Sequence, residues 1–420
     1  MAPSFDAFFA DLAGIRRHLH ENPELSLQEF KTQALVREYL INQAHIPAED
    51  IHNSGNTGLV VNIFGPKDGP KPENPARTCL AFRGDMDALP ITEHNPHLPY
   101  ESKVAGAAHM CGHDGHTASL MGFAMLVAQR RHLLPPHACV RLFFQPAEEG
   151  HFGARLMIQD GCLEGVDEVY GYHNHAFPLG NIHVKAGPMM SHGGLFYINI
   201  SGPGGHGSAP HVTKDPIVAA GQVILAMQTV TSRSISPHDT AIVSICQVHG
   251  GEADNVIPSS VKLSGTIRDF DPVVSETLKR RMMDIVKHTC EAYGLEGTIE
   301  FKDFYPVLVN PKPETAIFEK IAANIVGEDR VSPEGFPYCG SEDFSYFLQQ
   351  RPGCFFFVGT KEKNESQNRH RHSDTFDYND RILPLVARVY LEIMHNRFEC
   401  ALYTPEELQE MTADVLKREE

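Results

Sequence analysis

CVRLFFQPAEEG, residues 139–150, joins a short apolar run to two adjacent carboxylates. Residues 139–144 are long enough for a strand, too short for an ordinary helix, and rich in Val and Phe. They therefore read as a buried strand. Glu148 and Glu149 follow it directly. In an open α/β sheet the carboxyl ends of the strands are where sites assemble. Two neighbouring carboxylates there can divide the work, one binding a metal ion while the other moves protons. The plain alternative is an acidic helix N-terminus favoured by the helix dipole.

The flanking sequence supports an α/β reading. Residues 57–64 (TGLVVNIF) and 78–82 (TCLAF) are further short β-rich runs, and residues 65–77 read as an exposed Pro/Lys/Gly loop. Residues 5–40 have helical spacing interrupted at Asn22-Pro23, giving two helices. Residues 114–130 and 151–159 are also read as helices. This alternation predicts a largely parallel sheet. The middle of the chain differs. Runs at 195–201, 241–249, 261–270 and 297–301 read as strands, and 216–230 and 273–293 as helices. That order, βαββαβ, is the ferredoxin-like motif. Patterns of the first kind then return, including the apolar run 354–358. The expected architecture is an α/β sheet domain made of residues 1–187 and 306–420, with a smaller α+β domain, 188–305, inserted into it.

HMCGHDGH, residues 109–116, is the densest concentration of ligand chemistry. Cys111 and His113 are two apart, so a turn can aim a thiolate and an imidazole at one ion, a pairing suited to zinc or manganese. The plain alternative is a polar loop capping a helix. Asp87, in RGDMD after TCLAF, is placed to orient a ligand histidine from behind, or else belongs to an Asp-rich turn. His173 and His175 follow an apolar strand, and His372 lies in RHS far down the chain. A lone histidine is more often an ordinary surface or core residue. Together, however, these stretches supply enough nitrogen, oxygen and sulfur for two ions. In the insert, GPGGHGSAPH (202–211) presents His206 on a glycine-rich loop that permits close approach to a ligand. Asn255 lies between two predicted strands, where a turn asparagine is the plain reading.

Bulk properties narrow the partners. The 420 residues carry a formal net charge of −17 with histidine neutral, which disfavours nucleic acid and anionic membranes. Nine cysteines are scattered without a disulfide framework, as expected in a reducing compartment such as the cytoplasm. The first twenty residues lack the pattern of a secretory signal, no run of apolar residues is long enough to span a membrane, and the final KREE is not a peroxisomal address.

The motifs, taken in order, resemble the metallo-aminoacylase and carboxypeptidase family, and within it the branch of hippurate hydrolases, N-acyl-amino-acid amidohydrolases and indole-acetyl-amino-acid hydrolases. The resemblance runs nearly end to end, through RRHLHENPELSLQEFKT, FRGDMDALP, HMCGHDGHT, FQPAEEG, GPGGHGSAPH, NVIP, SGTIRDF, GSEDFSYF and RHSDTFDYND. It implies metal-dependent hydrolysis of the amide bond in acetyl, benzoyl or indole-acetyl amino acids. Two divalent ions, Mn or Zn with Co as a substitute, would be held by Cys111, His113, Glu149, His173 and His372. Glu148 would be the general base, Asp87 the residue orienting a ligand, and His206 and Asn255 lid residues that meet the substrate. Arg268 falls in the motif that anchors a substrate carboxylate, and the inserted lid would form a homodimer. A dipeptidase or deacetylase of the same chemistry, or a non-catalytic metal binder, are the alternative readings; a base beside the ligands argues against the last.

Two departures stand out. The last ligand motif, ordinarily Leu-His-Ser-Pro, reads Arg371-His372-Ser373-Asp374. After His173 the chain carries Asn174-His175-Ala176-Phe177, so His175 competes with His173 as the ligand. In other branches a histidine ligand stands two residues before the orienting aspartate; here Asp85 occupies that place.

Overall fold

The computed structural model describes residues 4–68, 78–363 and 370–417; most of the loop expected at 65–77 lies outside them. The chain forms two compact units, Met1–Gly187 with Val309–Phe336 and Tyr346–Glu420, and Pro188–Leu308 with Pro337–Ser345.

The first unit is built on an eight-stranded sheet. Its order is Ile51–Ser54, Gly58–Phe64, Cys139–Gln145, Cys79–Asp85, Glu168–Pro178, Gly353–Lys361, Ile182–His183 and Val331–Ser332. The central strands Cys139–Gln145, Cys79–Asp85, Glu168–Pro178 and Gly353–Lys361 are mutually parallel. Every residue of Cys79–Asp85 is buried, as a central parallel strand covered on both faces should be. The flanking strand Gly58–Phe64 instead pairs antiparallel with Cys139–Gln145, so the parallel character belongs to the centre of the sheet. The helices His113–Gln129 and Leu383–Phe398 are buried over most of their surface. Phe123 and Tyr390 from these helices pack on Phe82 with ring centroids 4.7 and 4.9 Å away. The helix expected from residue 151 starts later, at Gly153, because Gly150 and Phe152 adopt positive φ and hold the chain in a turn.

A buried ionic cluster ties helix Phe5–Glu21 to the first turn of His113–Gln129. Arg16 reaches Asp380 at 2.7 Å, Asp114 at 3.3 Å and Asp377 at 3.4 Å. His20 Nδ1 lies 2.8 Å from Asp114 Oδ2, and its Nε2 lies 3.1 Å from Glu93 Oε1. Burial lowers the His20 pKa, but the hydrogen bond and charge of Asp114 and the hydrogen bond to Glu93 outweigh it and raise it to about 9. Because the folded value lies above the ordinary 6.5, protonated His20 stabilises the fold fully below pH 6.5, and that contribution is lost as pH rises through about 9. Removing the ring with His20→Gln should therefore cost more stability at pH 6 than at pH 9.5, measured by urea unfolding of chelator-treated protein. Equal losses at both values would contradict this assignment.

The second unit contains an antiparallel sheet in the order Ala241–His249, Ser260–Asp269, His192–Ser201, Glu296–Asp303. In the βαββαβ chain order this is the ferredoxin-like arrangement. Phe196, Ile198 and Ile200 point to one side and are buried with Val223, Met227, Leu278 and Met282 of helices Pro216–Ser234 and Pro272–Ala292. Both helices begin in Asp-Pro. Asp215 accepts from Ile217 N, Asp271 accepts from Val273 N, and proline occupies the first helical position, where its missing N–H costs nothing. Residues 337–345 join this unit through Ser191, whose N–H donates to the carbonyl oxygens of Tyr338 and Gly340. Among the described residues no helix is long and apolar enough to cross a membrane.

Candidate metal centre

The parallel strands end on one side, and the ligand residues follow from those ends. Asp87 lies two residues beyond Cys79–Asp85, Glu148 and Glu149 lie beyond Cys139–Gln145, and His173 stands within Glu168–Pro178. Cys111 and His113 flank the start of helix His113–Gln129. Gly112 between them has φ 103°, and a Cβ there would sit 2.4 Å from Asn174 Oδ1. Only glycine meets both demands, and the resulting turn points Cys111 and His113 into the same space. His372 arrives from far along the chain. Its N–H donates to the Met110 carbonyl at 2.7 Å, and the adjoining Asp374 is held by His94 at 2.8 Å.

Three overlapping groups result: Cys111 with His113 and His173, Cys111 with Glu149 and His372, and His113 with Glu148 and Glu149. Within each group the potential ligand atoms lie within 4.8 Å of one another. Cys111 Sγ is 3.4 Å from His173 Nε2, and His372 Nε2 is 3.2 Å from Glu149 Oε1. All five residues expected as ligands, and Glu148 beside them, thus belong to one cluster. His175 does not. Its ring stacks on Phe177 with centroids 4.2 Å apart, so of the two histidines it is His173 that faces the thiol.

The donor set fits divalent metal. His113 Nδ1 is 2.9 Å from the Asp87 carbonyl and 3.2 Å from its carboxylate, which fixes the proton on Nδ1 and leaves Nε2 as the atom that could meet an ion. That Nε2 is buried without a hydrogen-bond partner, the condition of an atom that awaits an ion. Asp87 is itself held by Ser26 Oγ at 2.6 Å and by the Glu149 N–H at 2.9 Å. Burial opposes its charge, but the His113 and Ser26 hydrogen bonds prevail and lower its pKa. Cys111 and Glu149 together raise His372 to about 10 against the effect of burial, so the pocket favours positive charge. His173 is pushed the other way, first by burial and then by Arg371, and stays neutral as a ligand must.

Several contributors had no role assigned from the sequence, although Asp85 was noted at the place where other branches carry a histidine ligand. Asp85 forms a buried ion pair with Arg83 at 2.6 Å and meets His116 Nδ1 at 2.6 Å, while His116 Nε2 meets Asn174 Oδ1 at 2.7 Å. Asp85 is therefore occupied as a support. Glu29 accepts from the Ala147 N–H at 2.9 Å and from the Thr57 hydroxyl, anchoring a turn in which Ala147 has φ 57° immediately before Glu148. Burial and the charge of Asp87 raise Glu29 to about 7. Glu29 lies within the quoted SLQEFKT stretch, but nothing local marks it as a partner for residues far along the chain.

In the second unit His206 and Asn255 are neighbours. Val256 pairs with His206, and the Gly207 N–H donates to the Asn255 carbonyl at 2.8 Å. His206 Nδ1 accepts from the Ser208 N–H at 3.1 Å, so in the neutral ring the proton resides on Nε2. Arg268 lies in strand Ser260–Asp269, half-buried, donating to the Ile267 carbonyl at 2.8 Å and to the Thr266 hydroxyl; burial lowers its pKa.

Residues 81–396 match the model of peptidase family M20/M25/M40. The chain belongs to this family. Among M20 relatives, thermostable carboxypeptidase 2 of Saccharolobus solfataricus is 39% identical over 377 residues, covering 89% of this chain and 92% of the relative. An N-acetylcysteine deacetylase of Bacillus subtilis is 37% identical over 388 residues, covering 92% and 97%. A dinuclear metal-binding M20 peptidase structure from Bacillus subtilis superposes with a TM-score of 0.78 at 34% identity, covering 94% of this chain and 99% of that one. The M20 chain is a metal-dependent hydrolase of the amidohydrolase and peptidase type, on a fold that holds a dinuclear centre.

Proposed function

We propose that this chain hydrolyses the amide bond of N-acyl amino acids, with acetyl, benzoyl or indole-acetyl groups as the acyl classes to test first. The observation that carries this reading is the convergence of buried Cys111, His113 and His173 with half-buried Glu149 and exposed His372, and of buried Glu148 with His113 and Glu149. Cys111, His113, Glu149, His173 and His372 would hold two divalent ions, manganese or zinc, with cobalt able to substitute. Bound there, the ions supply polarisation of the carbonyl and a water of lowered pKa. Glu148 accepts that water's proton as it adds to the amide carbon, then delivers the proton to the nitrogen as the C–N bond breaks. Asp87 holds the His113 ring in its ligating orientation. The products are a carboxylic acid and a free amino acid, and no acyl-enzyme is needed. The deacetylase relative supports this substrate class. The carboxypeptidase relative keeps a peptidase reading in view. Turnover of N-acetyl, N-benzoyl and indole-acetyl amino acids beside dipeptides, with each metal in turn, separates the two. Free cysteines at all nine positions suit a reducing compartment, which we take to be the cytoplasm.

His206 acts as the oxyanion donor in this scheme. Its Nε2–H is the free end of a ring whose Nδ1 is taken by Ser208, and Asn255 beside it would meet the substrate, with Arg268 anchoring the carboxylate. The family resemblance implies delivery across a homodimer formed through the inserted unit. His206→Ala should lower kcat by roughly 10²–10³-fold, the scale of losing one such donor, with metal content unchanged. Hybrids of His206→Ala and Glu148→Gln protomers should regain activity. Verified hybrids as inactive as their parents would rule out delivery from the partner subunit.

A further inference from the structure

The hydrolysis outlined above depends on where the Glu148 carboxylate points. Glu148 sits on a sharp turn, and Ala147 before it has φ 57°, a conformation that residues with a Cβ seldom hold without outside support. The turn is gripped on both sides. Glu29 accepts from the Ala147 N–H at 2.9 Å, and Asp87 accepts from the Glu149 N–H at 2.9 Å. Both grips lead back to one short stretch, residues 26–29, because Ser26 Oγ donates to Asp87 at 2.6 Å. Behind the turn there is no slack: a Cβ on Gly153 would lie 1.6 Å from the Pro146 carbonyl oxygen.

Glu29 is placed oddly for a helix start. It precedes helix Phe30–Asn42 as its N-cap but makes no side-chain hydrogen bond to it, whereas a residue there ordinarily serves the helix's own N–H groups. Glu24 does that instead, accepting from the Lys31 and Thr32 N–H groups at 3.2 and 2.8 Å. The Glu29 side chain is fully buried and reaches a turn 118 positions away, while its other oxygen accepts from the buried Thr57 hydroxyl. We infer that Glu29 is a positioning residue for the hydrolysis, which sets the aim of Glu148 by clamping Ala147; this rests on Glu148 being the general base. Aim matters because the acceptor must lie within hydrogen-bond reach of the water's proton, and a displacement of about 1 Å can cost about 10²-fold in rate. The clamp holds in both protonation states of Glu29, whose pKa burial and the charge of Asp87 raise to about 7. Ionised, it accepts from Ala147 and Thr57. Neutral, it accepts from Ala147 and donates to the Thr57 hydroxyl oxygen, and glutamine reproduces that neutral form.

Three variants of the metal-loaded protein, assayed on N-acetyl or N-benzoyl amino acids, test this. Glu29→Ala removes the clamp. Glu29→Asp keeps the charge but is one methylene too short to span Ala147 and Thr57 together. Both should lower kcat by about 10–100-fold, the scale of losing a supporting partner, with KM and metal per chain at wild-type values. Glu29→Gln keeps both hydrogen bonds, its amide NH₂ donating to Thr57, and should restore most of kcat. In the Glu148→Gln background, Glu29→Asp should lower the residual turnover no further, because the group it aims is gone. If alanine prevents folding, the aspartate and glutamine variants decide. The inference is overturned if folded, metal-loaded Glu29→Asp keeps wild-type kcat, or if Glu29→Gln is as impaired as Glu29→Asp. It is also overturned if activity falls only in step with metal content or thermal midpoint, or if the loss persists in full in the Glu148→Gln background, since Glu29 would then act elsewhere. All of these results leave Glu148 as the general base. Wild-type turnover by metallated Glu148→Gln removes that reading and this inference with it.

Discussion

Glu148→Gln is expected to retain both metal ions and lose about 10²–10⁴-fold in kcat, the usual scale for removing a general base. Glutamine preserves the size of the side chain and leaves Cys111, His113, Glu149, His173 and His372 untouched, but its amide cannot accept the proton of the attacking water. Glu148 is buried, groups with His113 and Glu149 within ligand distance, and is held there by a turn that Glu29 anchors from behind. The loss should fall on kcat more than on KM, because proton transfer is demanded in the transition state and not in substrate binding. Elemental analysis beside steady-state kinetics makes the distinction. Near-wild-type turnover in fully metallated Glu148→Gln would remove this residue from the mechanism.

The second large effect is expected from Cys111→Ser. Cys111 is common to two of the ligand groups, the one with His113 and His173 and the one with Glu149 and His372, so its replacement touches both. A serine hydroxyl is hard and seldom ionised near neutral pH, and it replaces a thiolate poorly. Loss of a supporting partner typically costs about 10–100-fold in metal affinity, and loss of a direct, shared ligand should exceed that. Cys111 is also buried, and as a packing residue its exchange for serine would leave metal content nearly unchanged. Metal per folded chain, measured after gel filtration with circular dichroism as the control for folding, separates the two accounts.

The fold was legible where local pattern and final environment agree. The run at 139–144 is a strand buried at every position but Arg141, and its largely apolar, β-rich character says so without knowledge of its neighbours. The βαββαβ order of the insert likewise follows from alternation and from the Asp-Pro starts of its helices. Strand direction at the sheet margin was less accessible, since the antiparallel pairing of Gly58–Phe64 with Cys139–Gln145 depends on which edge is left open once the centre has formed. The candidate metal cluster was readable as a collection of ligand types, but its internal arrangement was not. His173 and His175 are two apart on one strand and share a face by period, so their spacing offers no reason to prefer either, and only the family resemblance pointed to His173. The choice is made by Cys111 on one side and by the Phe177 stack on the other. Arg83, Asp85, His116 and Glu29 remained hidden for a related reason. Each is a buried polar residue with a partner distant in sequence, 31 positions for Asp85 and His116, 62 for Arg83 and Gln145 and 118 for Glu29 and Ala147, and only the tertiary fold supplies that partner.

We propose that these residues form a dinuclear hydrolytic centre. Its most direct test is titration of chelator-stripped, folded protein with Mn²⁺ or Zn²⁺, following bound metal by elemental analysis and turnover of N-acetyl or N-benzoyl amino acids in the same samples. Two equivalents per chain should bind, and turnover, absent from the stripped protein, should return as the sites fill. Undiminished hydrolysis by protein shown to be free of metal would contradict the account.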